Sequence, residues 1–311
     1  GRLVGALIDG CPPGVSLETS DFTESLARRN PEHKGITQRK EPDIPLIASG
    51  VFKGRTTGAP ILIYFENKDK RSEDYLQFQD IPRPGHADYI ARIKYKGFND
   101  PRGGGMFSGR MTAPIVAAGV VAKKILPFVL IKAWLSEAGG TKKINEAIDT
   151  AIKLKDSIGG IIECSAAGVP AGLGEPFFDS IESAISHIIF SIPGIICIEF
   201  GEGFNGAAMT GSEFNDVIID DSGRTSTNHG GGINGGISNG NEIRFRVAAK
   251  PPSSIRKPQE SFNFSESKKD ILKISGRHDV CFALRLPVII ESAAAIALAD
   301  LFMVNETINL K

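Results

Sequence analysis

Apolar and polar positions alternate along this chain in two rhythms. Leu3 to Ile8 is a short apolar run closed by Asp9-Gly10, which predicts a buried strand and a turn. Ile47–Phe52 and Pro60–Phe65 read as strands separated by the turn Gly54-Arg55-Thr56-Thr57-Gly58. Further strands are expected at Phe128–Leu135, Ile161–Ser165 and Ile195–Phe200. Ile243, Phe245, Val247 and Ala249 alternate with Arg244, Arg246 and Ala248, the pattern of a half-buried strand. Helical spacing appears elsewhere. Ser20 reads as the cap of a helix with Phe22 and Leu26 on one face, Arg28 and Arg29 in its last turn, and Pro31 as its stop. Pro114–Leu126 is an Ala- and Val-rich helix with proline near its start. Asn145–Lys155 sets Ile148 and Ile152 one turn apart, an amphipathic helix stopped by Gly159-Gly160. Ile181, Ile185, Ile188 and Ile189 mark a helix ending at Pro193, with His187 as a structural residue in its last turn. Leu286–Val304 is the most apolar stretch; Glu291 and Asp300 interrupt it, so a buried helix is expected rather than a membrane span. Strands and helices intermix without β-α-β alternation. The expected class is α+β, a layered mixture of sheet and helix, in a single domain over residues 1–311.

The totals narrow the class. Thirty-six Lys and Arg balance 36 Asp and Glu, whereas a general nucleic-acid binder would show a basic excess. A hydrophobic content of 41% fits a globular chain rather than a disordered one. Cys11, Cys164, Cys197 and Cys281 are too scattered for a zinc pair and too few for a disulfide scaffold. Free thiols in a reducing cytoplasm are expected. No signal peptide is read at the start, and neither a membrane anchor nor a metal site is expected.

The chemistry concentrates between Arg83 and Arg110. This stretch holds Arg83, Arg92, Lys94, Lys96, Arg102 and Arg110, one histidine (His86) and the run Gly103-Gly104-Gly105. Glycine lets main chain approach a ligand closely. Arginine offers a planar fork of donors that matches phosphate or carboxylate, and histidine exchanges a proton near neutral pH. Together they suit a phosphorylated or carboxylated small molecule; a basic surface loop is the plain alternative. Ser108 to Thr112 would sit at the N-terminus of the next helix, where unpaired N–H groups favour an anion. Gly201–Asn241 is glycine-rich, yet it is no P-loop, for the chain has no Gly-Lys pair, and no Rossmann fingerprint, for no helix-period run follows. Lys250-Pro251-Pro252-Ser253-Ser254 offers a cation and two hydroxyls at a strand end. Gly276-Arg277-His278-Asp279 is either a charge-balanced turn or catalytic.

These residues resemble the chorismate synthase family. Its pattern of Arg-Pro-Gly-His-Ala-Asp, then Lys-Tyr, then Arg-Gly-Gly-Gly-x-Ser-Ser-Ala-Arg is met by Arg83–Asp88, Lys94-Tyr95 and Arg102–Arg110, with Phe107 where a serine is usual and Gly109 where an alanine is usual. Similar segments are Ile8–Gly14, Arg39–Asp43, Ser49–Gly58, Gly168–Gly174, Gly235–Gly240, Lys250-Pro251 and Gly276–Asp279, so that eight motifs occur in order. Of the family's first motif, Gly-Glu-Ser-His-Gly, only the last glycine is within the sequence, as Gly1. The expectation is that the sequence is trimmed there, which leaves a second family histidine outside it, and that residues are omitted around Gly139–Asn145.

The resemblance implies a sandwich of two mainly antiparallel sheets with helices between them, assembled as a homotetramer. It implies 1,4-elimination of phosphate from 5-enolpyruvylshikimate 3-phosphate to give chorismate, with reduced FMN and no net redox change. Reducing power would come from NADPH through an intrinsic activity or from a separate flavin reductase. By family position, His86 and Asp279 would be catalytic, and Arg39, Lys40, Arg83, Ser108, Arg110 and Arg277 would bind substrate. Phe107, Ser108, Gly109, Pro193, Gly194, Gly235, Lys250, Pro251, Pro252, Ser253, Ser254 and Arg277 would hold the flavin. Two other readings stay open: a different FMN-dependent oxidoreductase, and a non-catalytic anion- or RNA-binding module, against which the zero net charge and scattered aromatics count.

Overall fold

The structure, a computed structural model, describes residues 1–37, 43–67, 73–276 and 278–308. β1 (Leu3–Ile8) is followed by a 3-10 turn (Thr19–Phe22) and α1 (Thr23–Arg29). β2 (Leu46–Ile47), the small hairpin of β3 (Val51–Phe52) and β4 (Arg55–Thr56), and β5 (Ile61–Glu66) come next. α2 (Asp88–Lys94) and α3 (Thr112–Ile125) flank the glycine run. Then come β6 (Leu130–Ala138), α4 (Ile144–Leu154), β7 (Gly160–Ala167), α5 (Ile181–Ile189) and β8 (Ile195–Phe200). The short α6 (Gly211–Phe214), the hairpin β9 (Ile233–Asn234) with β10 (Ile237–Ser238), and β11 (Ile243–Ala249) follow. A second hairpin, β12 (Gln259–Asn263) with β13 (Lys268–Leu272), precedes α7 (Leu286–Ile308).

Two sheets sandwich two helices. One sheet has the order β1-β5-β2 and the other β6-β7-β11-β8, and among the described residues every strand pair is antiparallel. Alternation decides the faces: Ile61, Ile63 and Phe65 of β5 are buried, as are Ile243, Phe245, Val247 and Ala249 of β11. α3 and α7 lie between, and one contiguous core joins them to both sheets. Both are apolar nearly all round, which a helix tolerates only when covered on every side. They approach closely, for a Cβ on Gly119 would stand 2.3 Å from Ser292 Cβ. α7 is long and apolar enough to cross a membrane by length and composition, but 67% of that window is buried inside the protein, as in a core helix. Its interrupting Glu291 takes bonds from Arg28 of α1, Lys123 of α3 and the main-chain N–H of Ala133 in β6. The layered α+β expectation therefore holds.

Several local expectations need correction. Glu18, not Ser20, caps the first helical segment, in a reciprocal pair with Asp21. The strand expected over Ile47–Phe52 breaks at Gly50, whose φ of +78° suits glycine, and Arg55-Thr56 pairs back on Val51-Phe52 instead of being open turn. β6 starts two residues late and runs on to Ala138. α4 ends at Lys155, which itself takes the left-handed conformation, so Gly159-Gly160 is not its stop; Gly160 opens β7. Gly139-Gly140 form a tight two-residue turn closed by Ala138 and Thr141. His187, in the last turn of α5, is exposed and borders a cleft of about 500 Å³ beside Asp9 and Asp300.

Candidate active site

The turn before α2 brings Arg83, His86 and Asp88 together. Arg83 is 6% exposed and lies over the Phe78 ring, with its guanidinium carbon 4.3 Å from the centroid. Its Nε donates to Asp88 Oδ2 at 2.8 Å, Nη2 to Asp88 Oδ1 at 2.8 Å, and Nη1 to Ser254 Oγ at 2.9 Å. His86 Nδ1 stands 2.7 Å from Asp88 Oδ1. Burial alone would raise the Asp88 pKa, but the bonds from Arg83 and His86 outweigh it and hold the carboxyl well below the usual carboxylate range.

This turn is tied to the strand end after β11. Lys250 Nζ donates to the Gly85 carbonyl, and Ser253 Oγ donates to the same oxygen at 2.8 Å. The Lys250 main-chain N–H donates to Gly194 O at 2.9 Å. Proline at 251 and 252 stiffens the segment, and Ser157 Oγ fastens the Pro252 carbonyl at 2.7 Å. The β12–β13 hairpin completes the support, with Ser261 Oγ donating to Pro82 O at 2.5 Å.

Opposite, at the start of α3, Ser108 caps a short 3-10 turn by accepting from the Arg110 N–H at 3.2 Å. Gly109 and Gly194 both face the Phe282 ring: a Cβ on Gly109 would be 3.2 Å from it and one on Gly194 3.9 Å. Bare main chain thus walls both sides of one aromatic ring, three residues beyond Asp279. Phe107 is 36% exposed beside this wall.

Asp279 is held from both sides. Thr37 donates to its Oδ1 through main-chain N–H (2.8 Å) and hydroxyl (2.7 Å), and Arg285 Nε donates to its Oδ2 at 2.8 Å. Burial opposes its charge, but Arg285 and Thr37 win and its pKa is lowered. The neighbouring His278 has a lowered pKa, first through burial and also through the charges of Arg83 and Arg256, so the two clusters feel one another. Arg110 and Arg29 both donate to Asp43, in a buried group of two cations around one carboxylate.

His86, Arg83, Lys250 to Ser254 and Gly194 are therefore joined by direct bonds, and Ser108, Gly109 and Arg110 stand across Phe282 from them. Gly235 is not with them in one chain. It turns the β9–β10 hairpin, which packs at the Glu242 end of β11, whereas Lys250 follows the other end. The strand between them spans about 20 Å. Arg39, Lys40 and Arg277 lie outside the described residues. Sequence reasoning gave no role to Asp88, Asp43, Thr37, Phe282 or Arg285. Asp88 had a local signal, a carboxylate two residues from a histidine in a turn; Thr37 and Arg285 meet Asp279 only through the tertiary fold.

The family model described as chorismate synthase matches residues 1–303. A chorismate synthase of Chitinophaga pinensis is 54% identical over 310 residues, covering 99% of this chain and 93% of that protein. One of Pyrococcus abyssi is 42% identical over 343 aligned positions, covering 100% and 95%. A crystal structure of chorismate synthase superposes with a TM-score of 0.75 at 25% identity, over 98% of this chain and 89% of that one. A full-length family match, curated relatives at this identity and the shared sandwich agree: the chain belongs to the chorismate synthase family of lyases.

Proposed function

We propose that this chain, as one domain, eliminates phosphate from 5-enolpyruvylshikimate 3-phosphate to give chorismate, and that it uses reduced FMN where the Arg83–Asp88 turn, the Lys250–Ser254 segment and the start of α3 come together. The observation that carries the reading is the bonded unit of Arg83, His86, Lys250, Ser253 and Ser254, standing across Phe282 from Gly109. Its donors fit the flavin. An ammonium, two serine hydroxyls and main chain bared by Gly109 and Gly194 suit a flat ring that carries a phosphate. When bound, reduced FMN would supply an electron-rich ring that lowers the barrier to losing phosphate.

The chain's own groups do the rest. Arg83, with Arg39, Lys40, Arg110 and Arg277, would hold the substrate's phosphate and carboxylates, each charge-assisted bond contributing roughly 1.5–3 kcal/mol. His86 would keep the departing phosphate or the ring correctly protonated, and Asp279 would assist proton removal. Ser108 and Phe107 would meet the flavin through hydroxyl and main chain, and Pro193, Pro251 and Pro252 would shape its edge.

We place Gly235 in the site of a neighbouring subunit of a homotetramer, since its hairpin lies about 20 Å along β11 from Lys250. The free thiols Cys11, Cys164, Cys197 and Cys281 support a reducing, cytoplasmic setting. The test is anaerobic: the full-length protein with FMN, dithionite and the substrate should release phosphate and chorismate in equal amounts with no net flavin oxidation. Flavin turnover without chorismate would favour an oxidoreductase instead. Replacing dithionite by NADPH then tells an intrinsic reductase activity from dependence on a separate flavin reductase.

A further inference from the structure

Asp88 bears on which nitrogen of His86 exchanges a proton. Its Oδ2 accepts from the Arg83 main-chain N–H (3.1 Å) and Nε (2.8 Å). Its Oδ1 accepts from Arg83 Nη2 (2.8 Å) and faces His86 Nδ1 at 2.7 Å. Were Nδ1 unprotonated, its lone pair would point at a carboxylate oxygen across that distance, which is repulsive. A proton on Nδ1 turns the contact into a charge-assisted hydrogen bond. Nε2 is then the lone-pair atom; Arg83 Nη2 lies 3.0 Å from Nδ1 and 3.2 Å from Nε2, nearly equidistant, and selects neither nitrogen. The tautomer is thus set by the 2.7 Å contact between Asp88 Oδ1 and His86 Nδ1, with Arg83 beside the same ring. Asp88 is itself clamped in place by Arg83 and largely buried, its side chain 13% exposed.

We propose that Asp88 is a positioning residue: it fixes His86 as the Nδ1–H tautomer and leaves Nε2 as the atom that takes up and gives back the proton. The arrangement follows the logic by which a buried carboxylate sets the tautomer of a histidine base in hydrolytic triads. It deepens the proposed function and rests on His86 being the proton-exchanging group there.

Asp88→Asn tests it. Two donors from Arg83 keep an oxygen at the Oδ2 position, so the amide NH2 must occupy the Oδ1 position and donate to Nδ1. The imidazole is then forced into the opposite tautomer, while Arg83 Nη2 loses its acceptor at that position and Arg83 keeps its two bonds to the other oxygen. With 15N-histidine labelling and His86→Gln to assign the signal, wild-type Nδ1 should appear protonated at pH above the imidazole titration, and in Asp88→Asn it should appear as a lone-pair nitrogen. Turnover should fall by about 10²–10⁴-fold, the worth of a positioned acid or base, while FMN affinity stays as in wild type. A wild-type Nδ1 without its proton, or an unchanged tautomer in the variant, overturns the proposal, and the wild-type spectrum decides even if the variant does not fold. A switched tautomer with full turnover instead removes His86 from the reaction and Asp88's part in it.

Discussion

Arg110 is already engaged by Asp43: its guanidinium donates to a carboxylate that also receives Arg29, and all three side chains are nearly buried. A cation expected to grip a ligand phosphate is therefore partly neutralised within its own chain, by a carboxylate it shares with Arg29. Asp43→Asn should leave two buried guanidinium groups facing each other with no carboxylate charge between them. Removing one partner of a buried pair costs on the order of 3–5 kcal/mol, and the retained amide oxygen reduces this, so a loss of about 3 kcal/mol is expected in a denaturant titration. Inorganic phosphate should restore more stability to the variant than to the wild type, because it binds only the folded state and supplies the missing negative charge. Equal restoration in both would mean that Arg110 does not reach the anion site.

Acid should unfold the protein through a few identified carboxylates. Asp43, Asp88, Asp279 and Glu291 each have a lowered pKa in the fold; burial opposes the charge in every case and the facing cations outweigh it. A carboxylate whose folded pKa lies below its unfolded one lets the unfolded chain bind protons first as pH falls. Its contribution is complete above the unfolded values near 4 and is lost on descending through the folded value. Melting temperature should therefore fall steeply below about pH 4. Glu291→Gln should be less stable at neutral pH and show a shallower fall in acid. An acid limb identical to wild type would assign the effect to the other three.

The layering was legible in the sequence because burial imposes simple periods. β5 and β11 alternate, and α3 and α7 are apolar nearly all round, so strand, helix and a layered α+β class follow from residue types, while the two-sheet sandwich came from the family resemblance. Ends were less legible. Lys155 stops α4 in a conformation that glycine usually supplies, and Glu18 caps where Ser20 was the stronger signal. The cations of the site were visible, but their partners were not: Arg285 meets Asp279 and Thr37, and Arg29 meets Asp43, through contacts that no local spacing encodes. The hairpin β12–β13, which props the Arg83 turn through Ser261, also escaped, its strands being mostly polar.

His86→Ala and Asp279→Asn should separate chemistry from support. His86 is 20% exposed and its loss leaves Arg83 and Asp88 paired, so turnover should fall about 10²–10⁴-fold with little change in melting temperature and with FMN still bound. Asp279 also anchors Thr37 and Arg285, so its variant should lose turnover and several degrees of melting temperature together. Near-wild-type turnover in either variant takes that residue out of the mechanism.

Phe107 offers a prediction in the opposite direction. It stands where the family usually has serine, is 36% exposed, and can offer a flavin only its main-chain N–H and the face of its ring. Phe107→Ser gives up the part of the ring that the fold covers, at a cost on the order of 1–2 kcal/mol in stability. The new hydroxyl adds one hydrogen bond, worth about 0.5–1.5 kcal/mol net, against whatever ring contact is lost. If the hydroxyl is the better partner, FMN should bind up to about tenfold tighter by fluorescence titration. If FMN binds more weakly instead, the ring itself packs on the cofactor, and this chain has exchanged a polar contact for an aromatic one at the same place.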